Sequence, residues 1–280
     1  MITLAEVLRR STGYLESHGS PTPRLDAELL LSHGLGLSRL ELYTQFDRPL
    51  NDGELEQSRE LVRRRGLREP VAYVIGHWGF RRLDLEVDAR VLVPRPETEI
   101  AVDRCLQQLA GVEQPAVVDV GTGSGAIALA IKDERPEARV TACDVSDDAL
   151  AVATANAARI GLEVAFVRSD LLDGVEGGPF DLVVSNPPYV SAAEIDDLEP
   201  EVAVHEPRLA TVAGDDGTAV YRRLLPQAAE RLAPGGCVVL ECGAGQAPWL
   251  VTQLQQLGYR DPGVDQDLAG IDRVVWARWP

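Results

Sequence analysis

Hydrophobic and polar positions follow one period over the first 75 residues and change it twice afterwards. The opening stretch, residues 1–19, has helical periodicity with charges every few residues. Helix starts are marked by chemistry. Thr3 with Glu6 and Ser38 with Glu41 are capping-box pairs ahead of apolar positions. Thr22-Pro23 supplies an N-cap followed by proline at the first helical position, and Gly34 is placed to stop that helix. Asn51 opens another, through Glu54, Leu55 and Leu61 to Arg63, Arg64 and Arg65. That basic end suits the sign of a helix C-terminus and reads as solvated rather than as a partner-binding patch. These signals predict a small all-helical domain over residues 1–75.

From Trp78 to Val93 the period drops to two: Phe80, Leu83, Leu85 and Val87, then Val91 and Val93 beyond Asp88-Ala89. The alternation predicts a hairpin or extended connector over residues 76–94. It ends in Pro94-Arg95-Pro96-Glu97-Thr98-Glu99, where proline stiffens the loop and the acids open a helix. After Pro115 short apolar strands alternate with helices. Strands are expected at residues 116–120, 138–144, 163–168, 180–185, 236–241 and 270–278. Helices are expected at about 124–134, from Asp147 to Gly161, and near 218–232 and 245–257. Continuous apolar strands separated by helices predict an α/β domain over residues 95–280, with a parallel-rich sheet covered on both faces.

Charge narrows the partners. The formal net charge is −17, of which residues 1–75 carry −1 and the remainder −16. So acidic a surface repels phosphate backbones and argues against a nucleic-acid substrate. Cys105, Cys143, Cys237 and Cys242 form no CxxC pair and have no His partners at metal spacing, so buried reduced thiols and no metal are expected. The start has no apolar h-region and no apolar run reaches transmembrane length. A soluble, cytoplasmic protein is expected.

Three motifs carry chemistry. The first is Asp119-Val120 followed by Gly121-Thr122-Gly123-Ser124-Gly125, a strand running into a glycine turn that opens a helix. Glycines remove Cβ atoms where backbone must turn tightly against a ligand. The run is GxGxG, not the dinucleotide-type GxGxxG, since Ala126 holds the sixth place, and no Gly-Lys-Ser/Thr makes it a P-loop. The second is Asp144 at the end of the next strand, where an acid can accept both hydroxyls of a ribose. Capping of the following helix falls to Ser146 or Asp147, which would leave Asp144 freer for a ligand. Together they indicate an adenosine-containing ligand, and the loss of the diphosphate-type loop favours S-adenosylmethionine over NAD.

The third motif decides the chemistry. The strand Phe180–Ser185 delivers Asn186-Pro187-Pro188-Tyr189. Two prolines fix φ and remove two donors, so the turn presents carbonyl oxygens, and Asn186 adds a side-chain oxygen. Two fixed acceptors can hold both N–H groups of an amide or exocyclic amine. Its weakly nucleophilic nitrogen is thereby turned toward a methyl donor. Tyr189 offers a flat face for the planar group. A proline-stiffened turn with a core tyrosine is the bland alternative.

With these motifs in place, the chain resembles the release factor glutamine methyltransferase family, known as PrmC or HemK. The resemblance rests on residues 91–99 (VLVPRPETE), 186–190 (NPPYV), 205–210 (HEPRLA), 214–217 (GDDG) and 267–275 (DLAGIDRVV), and spans essentially the whole chain. It implies a class I S-adenosylmethionine-dependent methyltransferase fold, Rossmann-like with a mostly parallel seven-stranded sheet, behind a helical substrate-binding domain. The implied reaction is N5-methylation of the glutamine in the Gly-Gly-Gln loop of class I peptide chain release factors. By position, Gly121 to Gly125 line the cofactor, Asp144 holds the ribose, and Asp170 and Leu171 flank the adenine. Apolar contact at Leu171 replaces the aromatic stacking frequent in the family. Asn186, Pro187, Pro188 and Tyr189 hold the glutamine, with Asn186 and Pro187 supplying the catalytic acceptors, and Phe80 covers the methyl region. No role follows for Arg95, Glu97 or Glu206.

The competing enzyme class is adenine-N6 methylation of DNA or RNA, which uses the same acceptors on another planar amine. It needs a flipped base and a basic recognition surface. A non-enzymatic cofactor sensor with a vestigial site is the remaining alternative, and the intact Asn-Pro-Pro-Tyr opposes it.

Overall fold

In the computed structural model, which describes residues 2–280, helices begin where side chains satisfy their free N–H groups. Helix α1 (Leu4–Ser17) opens at Thr3, whose hydroxyl accepts from the Glu6 backbone, while the Glu6 carboxylate pairs with Arg10 instead of closing the box. In α2 (Pro23–Leu35) the Thr22 hydroxyl donates to Asp26 rather than capping. This helix runs past Gly34, the expected stop, and ends at Gly36. Gly34 serves packing: a Cβ there would lie 2.8 Å from Cδ1 of Leu61. Full capping boxes start α3 (Arg39–Thr44) at Ser38 with Glu41, and α4 (Asp52–Gly66) at Asn51 with Glu54. Helix α5 (Val71–Ile75) completes the set.

The arginine run at the end of α4 is not uniformly solvated, as its position suggested. Arg63 pairs with Glu60 at the surface, but Arg65 is 3% exposed and bonds Asp26 at 2.7 Å and Glu201 at 2.6 Å. Glu201 comes from far along the chain. One compact unit comprises the residues up to His77 together with the segment Glu199–His205; the other comprises Trp78–Leu198 and Glu206–Pro280. Thus the expected connector is part of the second unit, and the helical unit includes a return segment no local pattern announced.

A hairpin follows, β1 (His77–Phe80) and β2 (Leu83–Glu86), whose Phe80, Leu83 and Leu85 are buried. Then follow α6 (Thr98–Gln108), β3 (Ala116–Val120), α7 (Ala126–Glu134), β4 (Arg139–Asp144), α8 (Asp147–Ile160), β5 (Ala165–Arg168) and β6 (Phe180–Ser185). A short turn α9 (Arg208–Thr211), α10 (Ala219–Arg231), β7 (Leu232–Glu241), α11 (Ala247–Gln256), β8 (Arg260–Gln266) and β9 (Asp272–Arg278) finish it. The seven-stranded sheet has the order β5-β4-β3-β6-β7-β9-β8. Its first five members are parallel, and β9 runs antiparallel to both its neighbours, β7 and the edge strand β8. Every residue of β3 is buried, the signature of a strand covered on both faces.

Strand β8 was absent from the sequence reading. It is a polar edge strand interrupted by Pro262, so neither alternation nor an apolar run betrays it. The chain order reverses between β3 and β6, which opens a crevice at their carboxyl ends, the place where open α/β sheets bind ligands. No described helix is long and apolar enough to cross a membrane.

Candidate functional site

The glycine turn leaves β3 and is tied at once to the neighbouring strand. Gly121 and Thr122 both donate their N–H to the carbonyl of Cys143 on β4, at 2.8 and 3.0 Å. Gly121, Gly123 and Gly125 all have positive φ, 73°, 55° and 84°, which admits this backbone without a Cβ penalty. Gly125 also lets α7 approach α8, since a Cβ would press on Leu129 at 3.1 Å and Ala153 at 3.3 Å.

Asp144 ends β4 beside this turn. Its Oδ2 accepts from Gly123 N–H at 3.0 Å and its Oδ1 from Ser146 N–H at 3.0 Å. Ser146 is the N-cap of α8, as its sequence position suggested, yet Asp144 is not left free by that division of labour. Both oxygens are aimed by backbone donors, and each retains a lone pair for a ligand hydroxyl. Across the same cleft lie Asp170 and Leu171. Asp170 is exposed and pairs with Arg223 at 2.6 Å, while Leu171 packs on the core from a positive φ of 53°.

The proline turn is delivered from β6. Ser185 donates its hydroxyl to the Val120 carbonyl at 2.6 Å, which pins the end of β6 to the end of β3. Asn186 therefore stands next to the glycine turn. One cleft is lined by residues 121–124, Asp144, Asp170, Leu171, Asn186, Pro187 and Pro188. The Asn186 amide nitrogen donates to Thr98 Oγ1 at 3.2 Å.

Three expected residues stand elsewhere: Gly125, which lies behind the turn against Leu129 and Ala153, and the aromatics Phe80 and Tyr189. Phe80 is 1% exposed and does not line this cleft; the connector contributes Arg90, Val91, Leu92 and Pro94 instead. Its place in the β1 alternation turns it into the core. Tyr189 does not line it either. Its ring lies against Gly243 and the core, its carbonyl accepts from Gln246 at 2.9 Å, and burial pushes its hydroxyl up to about 12.

Two of the three residues without a sequence role, Arg95 and Glu206, acquire one. Arg95 donates to both oxygens of Glu206, at 2.7 and 2.6 Å, and Val93 N–H reaches the same carboxylate. Burial raises the Glu206 pKa, opposed by Arg95. This pair clasps the Pro-Arg-Pro-Glu loop to the segment carrying Pro207, Leu209 and Ala210, which line the cleft. Three further residues were missed. Thr98 lines the cleft at the start of α6. Asp119, under the glycine turn, accepts from Thr122 at 2.6 Å and from Ala128 N–H at 3.2 Å, and burial pushes it up to about 7. Glu241, at the end of β7, is likewise pushed up to about 7 by burial, and its Oε2 has no hydrogen-bond partner among the described residues. Acids inside the apolar strands AVVDV and CVVLE were the available signal. The cleft thus offers a carboxylate for hydroxyls, side-chain-free backbone for close approach, and apolar Val145 and Leu171 for a flat group.

Comparison with known proteins shows the family. Residues 6–76 match the family model of the PrmC N-terminal domain and residues 98–206 that of the methyltransferase small domain. A release factor glutamine methyltransferase of Geobacter sulfurreducens is 42% identical over 99% of this chain and 96% of its own. That of Deinococcus radiodurans is 42% identical over 98% of each. Among solved structures, the T. thermophilus 16S rRNA N2 G1207 methyltransferase, in complex with AdoMet and guanosine, gives a TM-score of 0.53 at 18% identity. It covers 73% of this chain and 50% of its own. The ribosomal protein L11 methylase of Lactobacillus delbrueckii gives 0.50 at 23% identity, over 70% and 84%. These two share the fold alone. With both family models matched in order and such identity over nearly its full length, this chain belongs to the release factor glutamine methyltransferase family.

Proposed function

We propose that this cleft binds S-adenosylmethionine and methylates the N5 amide nitrogen of the glutamine in the Gly-Gly-Gln loop of class I peptide chain release factors. The observation that carries the reading is that Asn186, Pro187 and Pro188 line the same cleft as the glycine turn and Asp144. In it, residues 121–124 would lie against the cofactor, Asp144 would accept its ribose hydroxyls, and Leu171 and Val145 would cover its base. When bound, the cofactor supplies a methyl group on a sulfonium, which leaves as a neutral thioether.

The chain's own contribution is positioning. An amide lone pair is delocalised, so the barrier falls by orienting the nitrogen and by placing acceptors where positive charge develops. Asn186 Oδ1 and the Pro187 carbonyl take the two N–H groups, and they bind the charged transition state more tightly than the neutral amide. Once methylated, the nitrogen would lose its surplus proton to water, with Asn186 and Pro187 holding it in place until then. The acidic balance of residues 76–280 suits a protein acceptor rather than a nucleic acid.

The test is transfer of labelled methyl to purified release factor, with DNA and RNA as control acceptors. Asn186→Ala should lower turnover by about 10²–10³-fold, the scale of losing one preorganised electrostatic contact. Its cofactor affinity by calorimetry should stay within about twofold. Near-wild-type turnover in this variant, or labelling of nucleic acid in preference to release factor, overturns the reading.

A further inference from the structure

Among the described residues two acids line the cleft, Asp144 and Asp170, and they are held in different ways. Backbone N–H groups aim both oxygens of Asp144. Asp170 is held by a side chain: Arg223 of α10 donates to its Oδ2 at 2.6 Å, and both residues line the cleft. The same face of α10 grips the chain beyond it. Four residues on, Gln227 Oε1 accepts from Leu172 N–H at 2.9 Å. Four more on, Arg231 donates to the carbonyls of Leu172, Val175 and Gly177, at 3.3, 2.6 and 2.9 Å. A spacing of four keeps these side chains on one side of the helix. Between the first two grips sits Leu171, whose φ of 53° is a left-handed conformation that residues other than glycine rarely adopt. Backbone in so sparse a region persists where its surroundings over-determine it, and such positions gather at ligand clamps. Gln227 and Arg231 fasten backbone. Arg223 alone of the three takes hold of a side chain, and that side chain lines the cleft.

We infer that Arg223 is a positioning residue for recognition of the cofactor's base: it fixes the Asp170 carboxylate so that Oδ1 accepts from the exocyclic amino group of adenine. This rests on the reading of the cleft as an S-adenosylmethionine site, with Leu171 against the base and Asp144 at the ribose. Arg223 occupies Oδ2, which leaves Oδ1 to an incoming N–H donor. Each side chain of the pair is 53% exposed, so in the open cleft water screens their attraction. A base laid against Leu171 excludes that water, and the direction of the carboxylate then counts. Without the guanidinium the carboxylate turns to solvent, and the amino group of the base loses its acceptor.

Two ligands compared by calorimetry test this: S-adenosylhomocysteine, the thioether left after transfer, and its analogue with hydrogen in place of the 6-amino group. The parent should bind the adenine form about tenfold more tightly, the scale of one hydrogen bond to a charged group. In Arg223→Ala the preference should drop to about two- to threefold, a change on the scale of one exposed ion pair. The drop should come from weaker binding of S-adenosylhomocysteine, with the affinity of the analogue unchanged. Arg223→Lys, still able to pair with Asp170, should recover most of the preference. In an Asp170→Ala background Arg223→Ala should change nothing further. An equal loss for both ligands in Arg223→Ala makes the residue only a tie between loop and helix, and overturns the inference. So does a parent without preference, or a preference that survives intact in Arg223→Ala. In each of these cases S-adenosylhomocysteine is bound by the parent and the reading of the cleft stands. If the parent binds neither ligand, both fall.

Discussion

Single buried acids set much of this protein's response to its surroundings. Asp119 is fully enclosed beneath the glycine turn, with one oxygen lacking a partner among the described residues. Burial moves it up to about 7. The folded chain therefore keeps a proton that the unfolded chain releases near pH 4. The associated stability is complete below about pH 4 and is lost as pH rises through about 7. Asp119→Asn, which stays neutral, should show a smaller drop in denaturant midpoint between pH 5 and pH 8 than the parent; an unchanged drop would show that Asp119 is ionised in the fold. At this scale the sequence marked most of what lines the cleft and was silent about what supports it. Asp144, the glycines and Asn186 lie at strand ends, where position alone suggests use. Thr98 meets Asn186 across 88 residues of chain, which only the fold brings together, and Asp119 braces the glycine turn from inside a fully buried strand. Phe80 and Tyr189 were misplaced for a related reason: an aromatic next to a motif reads as a wall of the site, whereas strand alternation or the far side of a turn sends it inward.

Elements followed their local chemistry closely wherever capping and periodicity agreed. The capped starts at Ser38 and Asn51, and the buried runs of β3 and β6, needed no tertiary information. Strand β8 needed it entirely, because what makes it a strand is pairing with β9 rather than its own residues. Its Gly263 lies under the Trp276 indole, where a Cβ would come within 2.2 Å of the ring. Arg104 stacks on that ring at 4.5 Å, so the indole has little room to yield. Gly263→Ala should lower stability by about 1–3 kcal/mol through overpacking, read as a lower denaturant midpoint at constant slope. An unaltered midpoint would mean that the edge strand shifts freely.

The whole molecule has two cores, and their unfolding need not coincide. In the helical unit, Arg65 is enclosed between Asp26 and Glu201. Removing one member of a buried ion pair leaves its partners uncompensated, at a cost of about 3–5 kcal/mol. Arg65→Met should therefore expose the amides of α2 and α4 to hydrogen exchange while those of β3 and β6 keep their protection. Uniform loss of protection in both would show that the two cores melt as one. The local pattern marks a helical stretch, a connector over residues 76–94 and an α/β stretch, but the seven-residue excursion at 199–205 has no composition of its own to announce its place in the helical unit.

That excursion bears on how such a protein can be rearranged by evolution or by engineering. Residues 199–205 are encoded deep within the catalytic half yet contribute to the packing of the other. A gene fusion that exchanged only the first seventy-seven codons would pair a foreign set of helices with an anchor made for the original ones. The helical half is therefore not a detachable cassette, and lineages that recombine it must carry two stretches of coding sequence together.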